Sequence, residues 1–234
     1  MISHSIHQGV KILIETDDKV YKPGLLTETI CNKMVVKKGD VAVDVGCGTG
    51  YIGITAALLG AGKVIAIDPC KEALDCTLRN AALNNVSNLC VRQGLELEPV
   101  KEKAVDLIIT LPPQMPFIVD FNPERYGGLD GTDVIIEIIR EAGIVLKKET
   151  GRFYLVHSAL ANPEKVREAL NVNRFSWQTV DTVEKELVAE DINFLTEGLF
   201  DYIMGLYNKG LIELVVKQGR YFYPVWFYFI KRQK

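Results

Sequence analysis

Val41-Ala42-Val43-Asp44-Val45-Gly46-Cys47-Gly48-Thr49-Gly50-Tyr51-Ile52-Gly53 is the stretch whose reading decides the fold. Its first five residues read as a buried strand. The glycines after it make a tight turn, and a helix follows from about Ile52 to Leu59. Outward from here the same alternation repeats. Val64–Asp68 is a second strand, Lys71–Asn84 a helix, and Leu89–Gln93 a short third strand. Val105–Thr110 is a fourth strand that stops at Pro112-Pro113. Thr132–Leu146 has apolar residues at helical spacing, and Arg152–His157 makes a fifth strand. A helix near Pro163–Leu170 and a strand from about Gln178 to Val188 complete the pattern. Strands alternating with helices predict an α/β fold with a mainly parallel sheet and helices on both faces.

The ends are different. Residues 1–40 are expected to form a leader with a helix near Thr27–Val36, packing on a single domain over 41–234. Ile192–Tyr207 reads as one inserted helix, within an insert at about 191–210. Ile212–Ile230 reads as two strands around a turn at Gly219.

The chain has 234 residues, 48% hydrophobic and 24% charged, and 27 basic against 30 acidic residues give a net charge of −3. That length can bury a full core without a metal or disulfide staple. The near-neutral balance lacks the basic excess of a nucleic-acid grip, so nucleic acid is not an expected partner. No apolar run reaches the roughly 18–20 residues of a membrane span. Met1–Gly9 lacks the pattern of a secretory signal. The five cysteines, Cys31, Cys47, Cys70, Cys76 and Cys90, form no C-x-x-C pair. Free thiols and a cytoplasmic location are therefore expected.

Two functions compete for the glycine loop. Gly48-x-Gly50-x-x-Gly53, with Asp68 18 residues beyond Gly50, matches a dinucleotide fingerprint and would suit a nicotinamide-dependent oxidoreductase. Asp44, two residues before Gly46, would repel a pyrophosphate and suit a ligand with an ammonium group. Asp68 ends its strand where a carboxylate can accept both hydroxyls of a ribose. Thr110-Leu111-Pro112-Pro113-Gln114 closes the fourth strand at the edge where open α/β sheets hold their reacting ligand, and a dehydrogenase has no need of that diproline.

Val43–Gly50 resembles motif I of the class I S-adenosylmethionine-dependent methyltransferases. Three further segments narrow the resemblance to the HemK/PrmC-like branch, which methylates glutamine amides of release factors. Pro23-Gly24-Leu25-Leu26-Thr27-Glu28 is similar to that branch's P-x-x-x-T-E leader. Asp106-Leu107-Ile108-Ile109-Thr110-Leu111-Pro112-Pro113-Gln114 is similar to D-L-I-v-s-N-P-P-Y. Gly127-Gly128-Leu129-Asp130-Gly131-Thr132-Asp133 is similar to G-G-x-D-G-L-D. The resemblance implies a Rossmann-like fold with a seven-stranded, mainly parallel sheet whose last strand is antiparallel. It implies S-adenosylmethionine as cofactor, no metal, and methyl transfer by in-line displacement. Asp44 and the backbone of Gly46, Cys47, Gly48 and Gly50 would then hold the methionine moiety, with Thr27 near it. Asp68 and Pro69 would hold the ribose, and Leu95 and Glu96 the adenine.

The chain departs from the branch at Leu111 and Gln114, which stand where N-P-P-Y has Asn and Tyr. In the branch, the Asn side chain and a proline-step carbonyl accept hydrogens from a planar –NH2, and the ring stacks on its plane. Leu111 accepts no hydrogen bond and Gln114 does not stack as a ring does. The expected acceptor is therefore a small-molecule or protein nitrogen, with oxygen or sulfur less favoured, and not a standard release-factor glutamine. A silent S-adenosylmethionine-binding module is the other reading. Leu111, Pro112 and Gln114 would meet the acceptor, and His157, ending the fifth strand, is the candidate base. Asp120, Glu124 and Tyr126 are alternatives to it. His4 and His7 are expected to be exposed. The insert could cover the acceptor edge, and the Ile212–Ile230 pair could pack a homodimer.

Overall fold

The computed structural model describes residues 2–100, 104–117 and 126–233. Two N-terminal strands, β1 (Ile2–His7) and β2 (Val10–Glu15), form an antiparallel hairpin apart from the main sheet. Its turn residues Gln8 and Gly9 both have positive φ (49° and 87°), the geometry that matches a two-residue hairpin turn to strand twist. Helix α1 (Leu25–Lys33) follows, so the leader contains a hairpin as well as the expected helix. The main unit then runs β3 (Val41–Val45), α2 (Tyr51–Leu58), β4 (Lys63–Asp68), α3 (Lys71–Leu83), β5 (Leu89–Gln93), β6 (Leu107–Thr110), α4 (Asp133–Val145), β7 (Arg152–Ser158), α5 (Pro163–Val172) and β8 (Phe175–Glu186). Helices α6 (Ala189–Leu195) and α7 (Leu199–Asn208) come next, then β9 (Val215–Lys217) and β10 (Arg220–Arg232).

The expected single helix of the insert is thus two. The chain breaks at Gly198, whose φ of 77° no ordinary helical residue adopts. The strands order as β5-β4-β3-β6-β7-β10-β8, with β9 as an eighth strand beside the start of β10. Pairs among β3 to β7 are parallel, and β10 runs antiparallel to both β7 and β8. The fold is therefore Rossmann-like, with the antiparallel strand the resemblance implied. Within Ile212–Ile230, β10 is not a free edge, because it lies between β7 and β8, whereas β9 pairs, among the described residues, only with the start of β10 and leaves Val215 and Val216 exposed.

Side-chain alternation explains the two faces. Val43, Val45, Ile108, Phe153 and Leu155 pack against Ile135 and Ile139 of α4 and Leu170 of α5. Ala42, Leu107, Ile109, Tyr154 and Val156 belong to the other core, with Ile12 and Ile14 of the hairpin, Ile30 of α1 and Ile54 of α2. Strand β3 has β4 on one side and β6 on the other, so the strand order reverses there and a crevice opens at the carboxyl ends. The opposite end is stitched by a buried ion pair, Arg152 Nη2 to Asp40 Oδ1 at 2.6 Å, and Arg152 Nη1 also donates to the Val35 carbonyl at 3.0 Å. No helix among the described residues is long and apolar enough to cross a membrane.

Asp40→Ala leaves the Arg152 guanidinium buried without its partner. The expected loss is about 3–5 kcal/mol of folding free energy, read from the denaturant midpoint; a loss of half a kcal/mol or less would show the pair to be idle.

Candidate active site

A cavity of about 670 Å³ opens at the carboxyl ends of β3, β4 and β6. Its floor at one end is the glycine loop. The N–H groups of Gly46 and Cys47 both donate to the Ile67 carbonyl at 2.9 Å, and Gly50 N–H donates to the Cys47 carbonyl at 2.7 Å. Gly46, Gly48 and Gly50 have φ of 74°, 52° and 80°, so the turn needs glycine. A Cβ on Gly50 would stand 2.9 Å from Thr77 Cγ2 of α3.

Asp68 lines the cavity at the end of β4. Its carboxylate accepts from Gly48 N–H at 3.0 Å and Cys70 N–H at 2.9 Å, so it fixes the loop as well as facing the space. Burial raises its pKa against those two hydrogen bonds. Pro69, Gly94, Leu95 and Glu96 continue this wall, and burial also raises the Glu96 carboxyl, with Glu141, Glu137 and Glu98 adding to it.

Asp44 sits differently from the position expected at the mouth of the turn. It is 1% exposed and does not line the cavity. Its Oδ2 accepts from Gly53 N–H at 2.8 Å at the start of α2, while Oδ1 is buried without a partner. Burial, with a further push from Asp68, raises its pKa to about 7. An orphaned buried carboxylate oxygen under a loop of glycine N–H groups fits a ligand whose nearby end is positively charged.

Leu111, Pro112, Pro113, Gln114 and Met115 line the other end of the cavity. The Gln114 carboxamide is turned to the β7 backbone: Oε1 accepts from Ser158 N–H at 2.5 Å, and Nε2 donates to the Val156 carbonyl at 3.2 Å. The Gly127–Thr132 turn clamps this loop, since a Cβ on Gly127 would be 2.6 Å from Gln114 Cα and one on Gly131 2.7 Å from its carbonyl. Thr27 reaches the cavity from α1.

His157 is not at the cavity. It is fully buried on the opposite face of β7 among Trp226 and Tyr228, its Nε2 donating to the Ala161 carbonyl at 2.8 Å. Burial lowers its pKa to about 4, its Nδ1 is buried without a hydrogen-bond partner, and it does not line the space expected to take the acceptor. Of the alternatives, Asp120 and Glu124 lie outside the described residues, and Tyr126 pairs with Met115 without lining the cavity. His7, expected on the surface, is 2% exposed. All five cysteines are free thiols, and burial holds the Cys47 thiol well above its usual range.

Sequence reading missed Thr77 and Asn80 of α3, which carry the glycine loop from behind. Thr77 Oγ1 donates to the Gly48 carbonyl at 3.0 Å, and Asn80 Nδ2 to the Thr49 carbonyl at 2.9 Å. Their spacing of three on one helix face was the available signal. Lys185 and Tyr223, a cross-strand pair of β8 and β10, also line the cavity and were not foreseen.

Residues 28–111 match the family model of ribosomal protein L11 methyltransferase. A protein of Methanocaldococcus jannaschii, named as a putative protein N5-glutamine methyltransferase, is 31% identical over 147 residues, covering 60% of this chain and 73% of the relative. The chain belongs to the class I S-adenosylmethionine-dependent methyltransferases. A ribosomal protein L11 methyltransferase from Shouchella clausii is 34% identical over 116 residues, but the methyltransferase described here spans only 36% of that relative's length. Among solved structures, a precorrin-6y C5,15-methyltransferase from Geobacter metallireducens superposes with a TM-score of 0.59 at 16% identity, covering 94% of each chain. At that identity it speaks for the fold. Membership sets aside the nicotinamide-dependent oxidoreductase that the glycine loop alone allowed, and S-adenosylmethionine is the cofactor of this methyltransferase.

The raised Asp44 pKa sets a sign. Its folded value of about 7 lies above the unfolded value near 3.9. Its contribution to stability is therefore full below about pH 4 and is lost as pH rises through about 7. Asp44→Asn removes that dependence, so the wild-type melting temperature should fall relative to the variant's between these limits. A difference that stays flat with pH would show that Asp44 does not titrate there.

Proposed function

We propose that the methyltransferase binds S-adenosylmethionine at the β3–β4 end of its cavity and a nitrogen acceptor at the Leu111–Gln114 end. The observation that carries this reading is the continuity of the cavity from Asp68 to Met115, in one space of about 670 Å³.

S-adenosylmethionine, when bound, supplies a methyl carbon made electrophilic by its positively charged sulfur. The glycine loop of Gly46, Cys47, Gly48 and Gly50, with Thr27 opposite, would hold the methionine part, and Asp44 would favour its positive charge from beneath. Asp68 would accept hydrogen bonds from the ribose hydroxyls beside Pro69, while Leu95 and Glu96 border the adenine. The Leu111 and Pro112 carbonyls accept an N–H of the acceptor and so orient its lone pair, and positioning is most of what this reaction needs.

Nitrogen is favoured because a neutral amine is nucleophilic enough to attack the sulfonium methyl as it stands and can release its proton to water afterwards. A hydroxyl or thiol is helped by a base, and His157, the base expected from the sequence, does not line the cavity. The name of the Methanocaldococcus relative supports a nitrogen acceptor as well. A planar carboxamide suits this end poorly. The Leu111 side chain accepts nothing and the Gln114 amide is engaged with β7, so one amide N–H stays unmet at a cost of about 1–3 kcal/mol. The acceptor is thus a small-molecule or protein nitrogen other than a release-factor glutamine.

Calorimetric titration should show S-adenosylhomocysteine binding and no NADH binding, and Asp68→Ala should weaken the former by about 1–3 kcal/mol. Unchanged affinity would remove Asp68 from the site. The wild type should leave a glutamine peptide unmethylated while Leu111→Asn gains transfer to it; a wild type that methylates the peptide overturns the acceptor assignment.

A further inference from the structure

The N-terminal hairpin is fastened to one of the α3 side chains that carry the glycine loop, Asn80. Asn80 is fully buried. Its Oδ1 accepts from Glu15 N–H at 2.8 Å, and its Nδ2 donates to the Glu15 carbonyl at 3.0 Å and to the Thr49 carbonyl at 2.9 Å. One carboxamide therefore holds the outer strand β2 with one set of bonds and the cavity loop with another. Asn84, one turn on, repeats the hairpin half and makes no bond to the loop: Oδ1 accepts from Leu13 N–H at 2.8 Å, and Nδ2 donates to the Leu13 carbonyl and to the main-chain carbonyl of Asn80, each at 2.7 Å.

A second tie runs through Tyr51, the first residue of α2, whose side chain is buried at the cavity wall. Its hydroxyl donates to His7 Nε2 at 2.7 Å, and His7 Nδ1 donates to Asn32 Oδ1 at 3.0 Å. Gly50 thus lies between two hairpin-linked residues, Thr49 through Asn80 and Tyr51 through His7.

We propose that Asn80 is a positioning residue for the cofactor loop and that through it the β1–β2 hairpin is energetically coupled to cofactor binding. The inference rests on the reading of Gly46–Gly50 as the cofactor loop. If the Thr49 carbonyl is held by Asn80, a ligand that orders the loop orders Asn80, and Asn80 can hold Glu15 only in the same rotamer. Coupling between two sites is reciprocal, so tightening the loop protects the hairpin and loosening the hairpin weakens the ligand.

Amide hydrogen exchange at Leu13 and Glu15 of the full chain, with and without S-adenosylhomocysteine, tests this. Saturating ligand should slow Glu15 exchange about fivefold or more in the wild type. Asn80→Asp keeps an acceptor for Glu15 N–H but loses both donated bonds; it should weaken ligand affinity and abolish the protection. Asn84→Ala touches no loop atom, and should speed Leu13 exchange while the protection of Glu15 persists. A role confined to stability predicts that both variants behave alike. Wild-type Glu15 exchange indifferent to bound ligand, or protection that survives Asn80→Asp, would overturn the coupling. Calorimetry on the same samples keeps the cases apart, since absence of binding overturns the loop assignment itself.

Discussion

Two N–H groups, of Gly46 and Cys47, converge on the single carbonyl of Ile67, and the rest of the site hangs on that contact. It pins the end of β3 to the end of β4 just where the chain must reverse into α2. With those donors spent, the next free N–H in the turn, that of Gly48, reaches the Asp68 carboxylate, which is fixed in turn by Cys70. The carbonyls of Gly48 and Thr49 then face α3, where Thr77 and Asn80 meet them. These polar groups of the turn are met by β4, by α3 or, for Gly50 N–H and the Cys47 carbonyl, within the turn itself. A shift of any one element would therefore unpair a buried group.

Much of this was legible in the sequence. The five parallel strands declared themselves through short β-branched runs, and the glycines and the diproline fell at the sheet edge where the cavity opens, with Asp44 buried behind it. What was not legible depended on contacts remote in sequence. The Ile2–His7 and Val10–Glu15 runs are plain alternating strands, but their Gln8-Gly9 turn is a weaker signal than Asn-Gly or Asp-Gly. Once that hairpin was missed, His7 had no element to bury it. His157 was placed correctly on β7 and wrongly on its face: strand period two sends Val156 to one side and His157 to the other, and nothing local to the sequence says which side is the cavity. Gln114 was read as open to the acceptor because its partners, Val156 and Ser158, are more than forty residues away.

The charge arrangement has the same logic. Burial resists the ionisation of both Asp44 and Asp68, and the Asp68 charge resists that of Asp44 further. Such a pair destabilises an empty loop and favours a cationic occupant, so part of the site's selectivity is an electrostatic debt carried by the free protein. The opposite end carries no such acid pair among the cavity-lining residues. Polarity thus divides the cavity along the direction in which its two ligands are expected to lie.

The diproline has a consequence in entropy. Pro112 and Pro113 have fixed φ, Gln114 is tied to β7 at both ends of its amide, and Gly127 and Gly131 leave the loop no room to shift toward them. The freedom that a flexible binding loop surrenders when a ligand arrives has here been surrendered during folding. An acceptor taken up at this end, as proposed, would meet Leu111–Gln114 already ordered, so its affinity would owe little to the cost of ordering that part of the wall.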